Sequence, residues 1–315
     1  MNRAAVIFGL ILFCSGTAFA AGPARIDGSW YYLNDTGEKT VNAFVALDGV
    51  PYYFGEDGAL QSDCVVEHEG RRYGLAENGA LLRNQWRRFF SAEKDRFCWM
   101  YFGFDGRAFE NGWLAENGDR YHFTDGIMDY GWYTEEDGSV YYLGGAEDGR
   151  AQKGWFVWKG GNAPGGGKHT PGWYYFSQSS GKMTADRELE IGGAVYAFNK
   201  EGTEVSGFCT VTENGSVTEK YYDPASGKRA AGWFYVEAEN ETAVHREGWY
   251  FFIDGIPLRP GYRTVALSDT AGTAVIDSSC YAFDAGGRMI TGHVQGSDGK
   301  DYFFASDGKM LTGTV

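Results

Sequence analysis

Proline is scarce, at 7 residues in 315. Beyond the first twenty residues no run is apolar enough to cross a bilayer core of about 30 Å, which argues against membrane insertion. Sustained 3.6-residue apolar periodicity is also missing there, so almost no helix is expected. Positive charge is short: 28 Lys and Arg stand against 42 Asp and Glu, a net charge of −14. Without clustered cations a nucleic-acid partner is excluded, because phosphate backbones are bound through Lys and Arg. The acidic balance keeps an aromatic surface soluble and favours cationic ligands.

Signatures of chemistry are equally thin. His68, His122, His169, His245 and His293 lie in distant stretches, with no H-E-x-x-H pattern and no G-x-S-x-G elbow. Glu135-Glu136 and Glu116 with Asp119 fall in predicted turns, where water solvates them. The glycine-rich run from Lys159 to Pro171 departs from a phosphate-binding loop, since Lys168 is followed by His169; it reads as a hairpin tip. No catalytic centre, metal or cofactor is expected. After Cys14, the remaining cysteines Cys64, Cys98, Cys209 and Cys280 fit no zinc spacing. They are either disulfide partners, with Cys64 and Cys98 in consecutive units, or isolated small apolar side chains.

Residues 1–20 read as a secretory signal: Arg3, an apolar core from Ala4 to Phe13, and Ala18-Phe19-Ala20 as the cleavage site. Residues 21–27 read as a short linker, and 28–315 as the functional array.

Aromatics, by contrast, make up 17% of the chain, with 47 glycines. They recur as one phrase, at Trp30-Tyr31-Tyr32-Leu33, Tyr52-Tyr53-Phe54, Trp99-Met100-Tyr101-Phe102, Tyr141-Tyr142-Leu143, Trp173-Tyr174-Tyr175-Phe176, Tyr221-Tyr222, Trp249-Tyr250-Phe251-Phe252 and Tyr302-Phe303-Phe304. Weaker copies stand at Tyr73, Tyr121, Tyr196 and Tyr281. The step is mostly 20 or 21 residues and sometimes 25 to 33, giving about twelve units. Such a period marks an array whose units touch only their neighbours. Pairs such as Asp57-Gly58, Asn78-Gly79, Asn117-Gly118, Asp137-Gly138 and Asp307-Gly308 supply hairpin turns. The expected fold is all-β, a β-solenoid of about twelve stacked hairpins, with a kink at Arg187 to Gly192 where the aromatic rhythm breaks.

Gly172-Trp173-Tyr174-Tyr175-Phe176 with Gly181-Lys182-Met183-Thr184, and Tyr302-Phe303-Phe304 with Gly308-Lys309-Met310-Leu311-Thr312-Gly313, resemble the cell-wall-binding repeats of Gram-positive surface proteins. That group includes choline-binding modules, the glucan-binding repeats of glucosyltransferases and the repeat regions of clostridial toxins. The resemblance covers roughly Gly28 to Val315. It implies a secreted, wall-associated, non-catalytic protein that binds a polysaccharide or a choline-bearing teichoic acid. An adhesin or effector binding a host glycan or protein is the second reading. A third is self-association through terminal hairpins, since Val315 ends the chain without a polar cap.

In choline-binding modules the ligand sits in an aromatic cage between hairpins, held by cation–π contacts of about 0.5–2 kcal/mol each. The resemblance implies such sites wherever a Gly-Trp tryptophan and the tryptophan opening the aromatic strand both survive. The second tryptophan remains at Trp30, Trp99, Trp173 and Trp249, separated by 69, 74 and 76 residues. Elsewhere its place is taken by Pro51, Arg120, Val140, Val195, Lys220, Cys280 or Asp301. Trp86, Trp99 and Trp113 form one candidate set, Trp233, Trp249 and Tyr262 a second, and Trp155 with Trp173 a partial third. The same tryptophans could equally be hairpin packing.

Overall fold

The computed structural model describes residues 20–163, 165–213, 215–260, 264–268 and 270–312. All of the signal segment but Ala20, together with Tyr262 and Val315, therefore lies outside the described residues. Strands pair antiparallel in two- or three-stranded sheets, each built from consecutive strands. The one helical element among the described residues is a 3₁₀ turn, Ala238–Asn240.

Two units emerge. One runs to Tyr133 and takes in Tyr142–Ala151; the other holds Thr134–Tyr141 and Gln152–Ala163 and continues from Gly167. In the first, Ala43–Leu47 pairs with Val50–Phe54 and Gln85–Ser91 with Arg96–Phe102. In the second, Gly154–Trp158 pairs with Gly172–Phe176 and Gly232–Val236 with Gly248–Ile253.

Two of the aromatic strands show plainly the alternation of a pleated strand. In Trp173-Tyr174-Tyr175-Phe176, Tyr174 and Phe176 are fully buried while Trp173 is 49% exposed. Trp249-Tyr250-Phe251-Phe252 repeats this, with Tyr250 and Phe252 buried and Trp249 46% exposed. The second and fourth residues thus form the core, and the first and third share the opposite face. Hairpins are joined to their successors by one recurring bond. The carbonyl of the residue opening the aromatic strand accepts a backbone N–H from beyond the next hairpin: Trp30 from Leu60 at 2.8 Å, Pro51 from Leu81 at 2.9 Å and Arg72 from Ala108 at 2.8 Å. The second unit repeats it with Val195 and Arg229 at 2.8 Å, and Trp249 and Met289 at 2.7 Å. A single hairpin is marginal in water; this bond and the shared aromatic face make each depend on the next.

Several sequence expectations are corrected. Residues 21–27 contain the strand Gly22–Ile26, paired with Ser29–Leu33, which the rhythm hid because it carries no aromatic. Asn117-Gly118 is a true hairpin turn, with φ of 52° and 84°. These left-handed values are those a two-residue turn between twisted strands requires. Asp57-Gly58 and Asn78-Gly79 instead close a second reversal after the aromatic strand, in which the Asp57 carboxylate accepts the Ala59 N–H at 2.9 Å and the Asn78 side chain that of Ala80 at 3.1 Å. Arg187–Ile191 is no kink but a regular strand paired with Ala194–Phe198. Of the two readings left open for Cys64, Cys98, Cys209 and Cys280, the structure shows the second: all four are free thiols. The glycine-rich run is the loop joining Gly154–Trp158 to Gly172–Phe176, as the hairpin-tip reading had it.

Candidate binding site

Strand register creates a repeated aromatic slot. Trp155 lies opposite Tyr175 and Val157 opposite Trp173, so all four share one face. Trp86, Arg88, Trp99 and Tyr101 do the same in their hairpin, as do Trp233, Tyr235, Trp249 and Phe251 in theirs. The first tryptophan of each of these hairpins then meets one ring across its own hairpin and two from the following one. Trp155 meets Tyr175 at 5.4 Å, Tyr196 at 4.8 Å and Phe198 at 5.8 Å. Trp86 meets Tyr101 at 5.3 Å, Tyr121 at 4.7 Å and Phe123 at 5.5 Å. Trp233 meets Phe251 at 5.2 Å, Tyr281 at 4.9 Å and Phe283 at 6.1 Å. Three copies of one geometry give these rings the role of glue between hairpins, each pair adding about 0.5–1.5 kcal/mol beyond its buried area. Burial pushes the Tyr121 phenol above its ordinary range, and the nearby Asp119 carboxylate adds to the shift.

The second tryptophans differ from one another. Trp155 and Trp173 stand perpendicular, 6.2 Å apart, with Trp173 reaching into solvent. Trp249 stands perpendicular to Tyr235 at 5.5 Å, and the Tyr235 hydroxyl donates to Glu247 at 2.8 Å. That bond is the first cause of the raised Tyr235 phenol. Trp99 is more engaged. Its Nε1 donates to Glu147 at 3.0 Å, while Arg88 pairs with the same carboxylate at 3.0 Å and lies 6.0 Å from the Trp99 ring. Trp30 likewise has Arg25 at 5.9 Å. Trp86 and Trp99 border the same buried cluster of Tyr101, Phe123 and Met128.

Trp113 is turned to other work. The Arg120 guanidinium covers its ring at 4.2 Å, and His122 and Tyr133 meet it edge-on at 5.1 and 6.1 Å. His122 itself stacks on Tyr133 at 4.0 Å, holds Asp129 at 2.7 Å and lies 3.0 Å from the Tyr133 hydroxyl. His122 is buried, while Trp113, Asp129 and Tyr133 around it are half-buried.

The aromatic place is sometimes held by other chemistry. Glu188 occupies the Gly-Trp position of its hairpin, where its buried carboxylate meets Lys220 at 2.7 Å, the Tyr222 hydroxyl at 2.5 Å and Arg229 at 3.1 Å. Phe208 occupies it in the next, opposite Tyr221. There Thr210 faces Glu219, so the second-tryptophan place belongs to Glu219 rather than Lys220. The tyrosines at 121, 196 and 281 are walls that sequence reading did not assign, although their place in the following unit was the available signal. Glu147 had no local signal.

A family model described as a cell wall binding repeat matches residues 24–39. The chain is also similar to Glucosyltransferase-S of Streptococcus mutans, 31% identical over 231 residues that make up 69% of this chain and 14% of that relative. The chain carries cell-wall-binding repeats. Among solved structures, these repeats are similar to choline binding protein F from Streptococcus pneumoniae, at 22% identity, 95% of each chain covered and a TM-score of 0.46. They are likewise similar to the modular autolysin LytC of the same organism, at 19% identity, covering 93% of this chain and 53% of that one, with a TM-score of 0.48. The chain thus spans about a seventh of the length of its curated relative, and its own repeats keep the tryptophan pair only in some hairpins.

Proposed function

We propose that this protein is an exported, non-catalytic module that attaches to a cell-surface polymer through its exposed tryptophans. Its hairpins stack as a β-solenoid of about twelve units. The observation that carries the reading is the half exposure of Trp173 and Trp249, on faces shared with Trp155 and Tyr235. Flat indole faces accept either a quaternary ammonium or a sugar ring. The two candidate ligands are therefore a polysaccharide and a choline-bearing teichoic acid. Trp86, Trp155 and Trp233 build the slots, Trp173 and Trp249 face the ligand, and Trp99 and Trp113 are secondary because guanidinium groups already lie against them.

Co-sedimentation with purified cell walls tests this. Trp173→Ala and Trp249→Ala are each expected to weaken binding by about 1–3 kcal/mol, as for an aromatic platform, with Trp99→Ala costing less. Competition by choline and by soluble glucan then separates the two ligands. Equal binding by wild type and the Trp173/Trp249 double variant overturns the reading.

A further inference from the structure

His245 is fully buried, yet it comes from the loop joining Gly232–Val236 to Gly248–Ile253 rather than from a strand. Its ring lies flat on Phe208, 3.7 Å between centroids and 7° between planes. Nδ1 is 2.7 Å from the Gly286 carbonyl and Nε2 is 2.8 Å from Glu219 Oε2. Each ring nitrogen thus faces an oxygen, a backbone carbonyl on one side and a carboxylate on the other. The loop is cinched around it, since the Thr242 N–H donates to the His245 carbonyl at 2.9 Å and the His245 N–H to Thr242 Oγ1 at 3.0 Å.

Phe208 and Glu219 occupy the Gly-Trp and second-tryptophan places of their hairpin. An aromatic floor, a carboxylate wall and a backbone acceptor are the parts of a site for a planar organic cation. We infer that this slot is such a site, filled by the chain's own imidazole: His245 is a tethered ligand, and the 237–247 loop is the strap that delivers it. Arg259, whose guanidinium is 3.9 Å from Glu219, supports the carboxylate from outside the slot. The slot stands whether or not Trp173 and Trp249 meet a wall polymer.

A tethered ligand can be replaced by a free one. In the full chain, His245→Gly is expected to lose roughly 5–10 °C in Tm. Added imidazole should restore it along a saturable curve while leaving the wild-type Tm unchanged. If His245→Gly is unfolded alone, regain of β-structure as imidazole is added is the same result. His245→Phe keeps the flat stack but has no N–H for Glu219 or Gly286; it is expected to be less stable than wild type and insensitive to imidazole. A His245→Phe variant as stable as wild type would make the contact apolar packing and overturn the assignment. So would a His245→Gly variant, folded or not, on which imidazole has no effect.

Discussion

Two tryptophans 6.2 Å apart, Trp155 and Trp173, divide the labour of a hairpin face. Trp155 touches Tyr175, Tyr196 and Phe198, the last two from the following hairpin, so its ring is part of what holds two hairpins together. Trp173 has half its surface in water. Truncating Trp155 to alanine should therefore cost about 3–5 kcal/mol of stability, the range for an aromatic lost from a packed site. Trp173→Ala should change stability by less than about 1 kcal/mol, as a surface substitution does. Chemical denaturation of the two variants decides it; equal losses would mean that both rings are packing. The sequence left this division open because both residues belong to the same phrase, and only cross-strand register separates them.

Hairpins were legible as elements because the phrase alternates with period two, and Tyr174, Phe176, Tyr250 and Phe252 are buried as that alternation demands. Less legible was what stands in the aromatic place when no aromatic does. At Arg187–Ile191 the aromatic signal vanishes although the strand does not, because Glu188 substitutes a buried ion cluster for a ring. Pairing between Glu188 and Lys220 spans 32 residues and leaves no local pattern. The same holds for His245, which reaches Gly286 across 41 residues. Glu188→Ala leaves Lys220 and Arg229 without their shared carboxylate, and removing one partner of a buried pair costs about 3–5 kcal/mol. Thermal unfolding of this variant is expected to show a marked fall in Tm, and a wild-type Tm would show that the charges are solvated. Burial also pushes the neighbouring Tyr222 phenol well above its ordinary range, with the bond to Glu188 as second cause.

Across the molecule, buried phenols link the fold to alkaline pH. Burial is the first cause that raises Tyr53, Tyr101, Tyr121, Tyr142 and Tyr174, and it pushes Tyr221 and Tyr250 up to about 12. An unfolded tyrosine ionises near pH 10. Between about pH 10 and 12 the unfolded chain therefore releases protons that the folded chain keeps, so stability is complete below pH 10 and falls as pH rises through that window. The net charge of −14 steepens the fall, since each phenolate adds to an existing negative self-repulsion. Tyr250 sits at the centre: its hydroxyl donates to the Arg246 carbonyl at 2.7 Å and accepts the Arg246 N–H at 2.9 Å, and ionisation removes the first of these bonds. Tm measured against pH should be level from pH 7 to 9 and drop steeply above 10, with tyrosinate absorbance appearing together with loss of β-structure. The paired variant Tyr221→Phe/Tyr250→Phe should flatten the drop. If that variant follows the wild-type curve, these two phenols are not the groups that set the alkaline limit, and the remaining buried tyrosines must carry it.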